Sequence, residues 1–131
     1  MKTIAVAAAV IINPSGAIFL AKRAKDAHQG GLWEFPGGKL EAFETSEQAL
    51  TRELAEELGI RIQNPLPFIS LVHSYSDKKV ELEVFIISEY RGKPWGREGQ
   101  ETQWCAIEGL KKLEFPEANL QILEKILQEY S

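Results

Sequence analysis

Thr45 with Gln48 three positions later, and a glycine at 59, bracket a stretch whose fold is tightly constrained. The first pair can close a capping box and the glycine can accept the left-handed conformation after a last turn, so one helix is predicted from about Ser46 to Gly59. Within it Ala49, Leu50, Leu54 and Leu58 form an apolar stripe, while Glu53, Glu56 and Glu57 stand at i, i+3 and i+4 beside that stripe rather than opposite it. One face must therefore pack on a sheet while its neighbour lines a cleft. Glutamates so spaced lie roughly 5–6 Å apart at Cβ and cost about 0.2–0.5 kcal/mol per like-charged pair. A glutamate-rich face is ordinarily a solvated one; the alternative is that a hard dication, magnesium or manganese, converts the repulsion into coordination. Arg52, four residues before Glu56, can pair with it and orient its carboxylate.

Ahead of the helix, Gly37 and Gly38 allow a close backbone approach and an exposed carbonyl that suits a hard cation, or simply a tight turn. Ile4 to Ile12, the turn Asn13-Pro14-Ser15-Gly16 and Ala17 to Leu20 read as strand, turn and strand rather than as a signal peptide. Pro67 to His73 and Val80 to Ser88 read as strands around a polar turn, Arg91 to Gln103 as a loop and Thr102 to Ile107 as a short strand. Ala118 to Tyr130 has apolar residues at helical spacing. The order predicts a mixed sheet with helices on both faces, in one domain over residues 1–131.

A net charge of −4 argues against a nucleic-acid polymer as partner, because phosphate backbones attract basic surfaces. That charge is compatible with a small anionic substrate if a cation bridges it. Cys105 is the only cysteine, which excludes an intramolecular disulfide and points to a reducing, cytoplasmic setting. No apolar run approaches the ~20 residues that span a bilayer, so no membrane partner is expected.

Gly38, Glu44, Arg52, Glu53, Leu54, Glu56, Glu57, Gly59 and Ile60 fill every fixed position of the pattern G-x5-E-x7-R-E-U-x-E-E-x-G-U, where U is a bulky aliphatic residue. On these residues the chain resembles the Nudix hydrolase family. The resemblance implies an α/β/α sandwich with a mixed sheet and magnesium-dependent, or manganese-dependent, hydrolysis of a nucleoside diphosphate linked to another group. Glu56 and Glu57 would be the main ligands, Gly37 would lend its carbonyl, and Glu53 would be a ligand that also helps to deprotonate water. Glu44 would be a further ligand or a partner of Arg52. Flanking runs around Ala24–His28, Trp33–Lys39, Pro94–Gln100 and Phe115–Asn119 resemble Nudix enzymes that remove 8-oxo-dGTP. They imply that Glu98 reaches the metal site and that Asn119 reads the base, an amide offering both donor and acceptor, although asparagine is also a favoured helix cap.

By the same resemblance Phe35 is an aromatic wall or a core residue, Arg23 and His28 lie near sugar and phosphates, Lys39 near phosphate, and Glu34, Pro36 and Gly38 border the substrate. Tyr75 and Lys78 lie in a turn that closes over the base. Phe43 stands where glycine is common in such chains, so the loop there is expected to take another path. The expected substrate is a nucleoside triphosphate, 8-oxo-dGTP first and CTP-like or methylated pyrimidine nucleotides second, handled by a monomer or weak dimer. A binding module without catalysis is the reading from another class, disfavoured by the complete glutamate set.

Overall fold

The computed structural model describes residues 2–27 and 30–130. In chain order the strands and helices are β1 (Lys2–Ile11), β2 (Ile18–Lys22), β3 (Trp33–Glu34), β4 (Gly37–Lys39), α1 (Ser46–Leu58), β5 (Arg61–Gln63), β6 (Leu66–Ser74), β7 (Lys78–Ile87), β8 (Glu89–Arg91), β9 (Thr102–Cys105) and α2 (Leu120–Tyr130). Two 3₁₀ turns, Ile107–Lys112 and Glu117–Asn119, precede α2.

The central sheet has the order β4-β1-β7-β6 and is mixed: β1 runs parallel to β7, and β4 and β6 pair antiparallel at the edges. A parallel central strand is covered on both faces and reads as an unbroken apolar run, which is how Val6 to Ile11 reads. Because successive side chains alternate faces, Ala7, Ala9 and Ile11 join Leu50, Leu54 and Leu58 of α1, while Ala8 and Val10 join Ile122 and Ile126 of α2. The expected mixed sheet with a helix packed on each face is present. Two smaller sheets, β3-β2-β9 and β5-β8, complete the strands.

Several short elements differ from the sequence expectation. Gly37–Lys39 is an edge strand rather than a turn, and neither Gly37 nor Gly38 has positive φ. Gly37 pairs with Ala8 so closely that a β-carbon on it would lie 2.0 Å from the Ala7 carbonyl oxygen, so strand packing is what demands glycine there. Ile107, expected at the end of a strand, begins a 3₁₀ turn, and the C-terminal helix starts at Leu120 because Glu117–Asn119 form a separate tight turn after Pro116.

Candidate active site

Helix α1 carries the acidic ridge, and its ends follow the local chemistry read from the sequence. Thr45 accepts from the Gln48 amide at 3.1 Å while the Gln48 side chain accepts from the Thr45 amide at 2.9 Å, a complete capping box. Gly59 takes φ 69° and closes the last turn. Ala49, Leu50, Leu54 and Leu58 are fully buried, which aims the adjoining glutamate face along β4.

Arg52 organises that face. Its Nε donates to Glu44 Oε2 at 2.8 Å, its Nη2 to Glu44 Oε1 at 2.9 Å and to the Lys39 carbonyl at 3.1 Å, and its Nη1 to Glu53 Oε1 at 2.6 Å. The forked pair holds the Glu44 carboxyl down at about 2, chiefly through the Arg52 hydrogen bonds and then through the Glu41 amide. Glu44 is thus Arg52's structural partner. The expected i,i+4 contact with Glu56 exists at 3.6 Å, longer than those to Glu44 and Glu53. Glu53 lies against β4: a β-carbon on Gly38 would fall 2.3 Å from its Oε2, so the second glycine makes room for a carboxylate.

Glu57 is the most perturbed acid of the site. Burial, then the charges of Glu53, Glu34 and Glu98, then a hydrogen bond with Glu53, push its carboxyl up to about 9. Near neutral pH Glu57 therefore retains its proton. The loop bearing Glu98 is anchored on the C-terminal carbonyls of α1, which would otherwise lack partners. The Trp95 amide donates to Leu58, the Arg97 amide and Gln100 Nε2 both donate to Glu57 at 3.1 Å, and Arg97 Nη1 donates to Ala55. Gln100 Oε1 also accepts from the Glu98 amide at 2.9 Å, so one side chain ties that loop to the last turn of the helix. Nothing in the sequence marked Gln100 or Arg97 for this work, since their partners are backbone atoms some forty residues away.

Among the described residues no three histidine, cysteine or carboxylate side chains already converge on one point. Arg52 draws Glu44 and Glu53 aside, and Glu56 is 56% exposed. The donor set still fits a hard dication: Glu53, Glu56, Glu57 and Glu98 are oxygen donors in net negative surroundings, and Glu57 retains a proton that a cation can displace.

Beside this ridge opens a cavity of about 300 Å³. Its floor is apolar, from Val6 and Ala8 of β1 and Val80 and Leu82 of β7, and its rim carries Arg23, Glu34, Gly37, Gly38, Lys39, Glu57, Tyr75, Lys78 and Asn119. Such a division suits a flat base at one end and phosphates at the other. Arg23 Nη1 bonds Glu34 Oε2 at 2.7 Å, and burial raises the Glu34 carboxyl against the opposing pull of Arg23. Phe35 is both core and wall: it is 3% exposed, stacks on Phe115 at 5.3 Å and lines the cavity. Asn119 Oδ1 accepts from the Phe35 amide at 3.4 Å, so its side chain faces the cavity wall instead of capping α2. Pro36 is buried and its carbonyl accepts from the Ala9 amide at 2.8 Å, which makes it a strand-pairing residue rather than part of the cavity lining. His28 lies outside the described residues.

Phe43 corrects the expected rerouting of the loop. Its backbone takes φ 68° and its side chain is fully exposed, so the left-handed conformation persists without glycine. A left-handed L-residue costs roughly 1–2 kcal/mol, partly offset by the extra unfolded-state freedom of glycine. Phe43→Gly should therefore raise Tm by about 2 °C, read by calorimetry, with unchanged turnover; a lower Tm would mean that the ring makes a stabilising contact.

The comparisons with known proteins agree with this architecture. A family model described as NUDIX domain matches residues 7–125. The chain is 40% identical over 126 residues to an 8-oxo-dGTP diphosphatase of Escherichia coli (strain K12), covering 96% of this chain and 98% of that one. It is 37% identical over 127 residues to a CTP pyrophosphohydrolase of the same strain, covering 97% and 93%. A solved structure from a study of MutT from Aliivibrio salmonicida and Vibrio cholerae superposes with a TM-score of 0.87 at 36% identity, covering 98% of this chain and 100% of that one.

Proposed function

The chain belongs to the NUDIX domain family, and from that premise we propose that it is a nucleoside triphosphate pyrophosphohydrolase, acting on 8-oxo-dGTP to give 8-oxo-dGMP and pyrophosphate. The observation that carries this reading is the adjacency of two unlike surfaces: an apolar slot ending at Asn119, and an acidic ridge at Glu57 on the same rim. In this reading the protein removes oxidised precursors before they enter DNA, serving replication fidelity.

The cofactor in this proposal is magnesium, with manganese able to substitute, held by Glu53, Glu56, Glu57, Glu98 and the Gly37 carbonyl. Bound there, the dication would neutralise diphosphate charge and acidify a water. The chain's own part is positional. Arg52 fixes Glu44 and Glu53, Glu53 Oε2 is the oxygen that takes a proton from the attacking water, and Arg23, Lys39 and, by the family resemblance, His28 hold phosphates or sugar. Phe35 and the floor residues exclude water from the base, and the Asn119 amide pairs with its edge. We further propose that the protein acts as one domain over residues 1–131, as a monomer or weak dimer in the reducing cytoplasm. Among the described residues no helix is long and apolar enough to cross a membrane.

The similarity to the CTP pyrophosphohydrolase supports a second reading, pyrimidine triphosphates as substrate. Specificity constants for 8-oxo-dGTP, dGTP and dCTP separate the two. The first reading predicts that 8-oxo-dGTP leads and that Asn119→Ala lowers its kcat/KM by roughly 10- to 100-fold relative to dCTP, because a base edge is left without its partner. A wild-type preference for dCTP would instead establish the second.

A further inference from the structure

We propose that Tyr75 is a specificity-positioning residue, its hydroxyl capping the Glu117–Asn119 turn from across the cavity and so holding Asn119 at the base. The inference rests on the proposal that Asn119 reads the nucleobase. The turn follows Pro116, which has no side-chain acceptor to cap it, and it is closed by bonds from the Asn119 amide to the Pro116 carbonyl at 2.9 Å and from the Leu120 amide to the Glu117 carbonyl. An amide in the first turn of such an element has no partner within it. Ala118 is in that position and only 3% exposed, so water does not satisfy it. Its amide donates instead to the Tyr75 hydroxyl at 3.0 Å, 43 residues away at the end of the β6–β7 hairpin.

Neighbouring contacts brace the same junction. The Tyr75 amide donates to the Lys78 carbonyl at 2.8 Å, fixing the hairpin turn, and the Tyr75 ring meets His73 edge to face at 4.7 Å. His73 Nε2 in turn lies 3.1 Å from Glu117 Oε2. Tyr75, Ala118 and Asn119 all line the cavity, whereas the bond from the Phe35 amide to Asn119 is long at 3.4 Å and gives weak support alone. The hairpin therefore supplies the second brace for the asparagine. The tyrosine hydroxyl does this through the backbone of the turn, without touching the reacting phosphates.

Tyr75→Phe removes that hydroxyl and keeps the ring. The test measures kcat/KM for 8-oxo-dGTP and for dCTP in the wild type, Tyr75→Phe, Asn119→Ala and the double variant, together with exchange of the Ala118 amide proton. The expected result is a discrimination ratio about 5- to 10-fold lower in Tyr75→Phe, as an orphaned buried amide implies, the fall lying mainly in kcat/KM for 8-oxo-dGTP. Exchange at Ala118 should quicken by a similar factor. In the Asn119→Ala background the same substitution should leave the ratio unchanged within about twofold, because Tyr75 acts through Asn119. A wild-type preference that survives Tyr75→Phe, or an equal fall with and without Asn119, overturns the proposal alone. A wild type with no preference for the oxidised purine overturns the base-reading role of Asn119 and this proposal together.

Discussion

Glu57→Gln is expected to abolish dication-dependent turnover, lowering kcat by at least about 10³-fold, a barrier increase of roughly 4 kcal/mol. Glutamine preserves the shape and keeps an oxygen donor, but it can neither lose a proton nor present a charge to a cation. The metal-free protein should not suffer from the change. Glu57 has its carboxyl pushed from an ordinary 4.5 to about 9 in the folded chain, so between those values the native state binds more protons than the unfolded one. Stability must then fall as pH rises through that window. Without metal the wild type should lose thermal stability from pH 5 to pH 9, and Glu57→Gln should flatten that slope. Added magnesium should restore the wild type most at the alkaline end, where the displaced proton is held least. Circular-dichroism melts with and without magnesium check this; an unchanged slope in the variant would assign the pH dependence to another group.

Arg52→Gln is the second large effect. One guanidinium joins Glu44, Glu53 and the Lys39 carbonyl, so its loss frees two carboxylates and an edge-strand acceptor together. Misplacing groups that orient metal ligands typically costs 10- to 100-fold, and kcat/KM should fall by about 100-fold. Lysine should rescue little, since it cannot make the forked contact with Glu44. Stability should change on the acid side in particular. The Glu44 carboxyl is held at about 2 in the folded state, so its contribution is present above the ordinary 4.5 and lost as pH falls toward about 2. The variant should lose it throughout and unfold at higher pH in an acid titration. Near-wild-type activity in Arg52→Gln would mean that Glu53 is held by β4 packing alone.

What could be read from the residues was what local chemistry determines. Thr45, Gln48 and Gly59 specify the ends of α1 through bonds within four residues, and the stripe of Leu50, Leu54 and Leu58 specifies its buried face. The two-sided burial of β1 was legible as a continuous apolar run, though its division between two helices was not. Long-range backbone partners were invisible. Gly37 is glycine because β1 presses on it, Gly38 because Glu53 does, and Gln100 matters because it reaches the Glu57 carbonyl. Phe43 misled for a different reason: propensity disfavours its conformation, but Arg52 and the Glu44–Glu41 bond hold the loop in place regardless. The pairing of the motif-bearing residues was not legible, because Arg52 could have chosen any of several carboxylates.

The central claim is that the crowded carboxylates of α1 are a dication site whose proton at Glu57 is exchanged for metal. Manganese binding measured by paramagnetic resonance at pH 6 and pH 8.5, with proton release followed in parallel, tests it most directly. The account predicts tighter binding at the higher pH, proton release greatest at pH 6, and loss of both pH effects in Glu57→Gln. Equal manganese affinity in the two proteins at both pH values would contradict it.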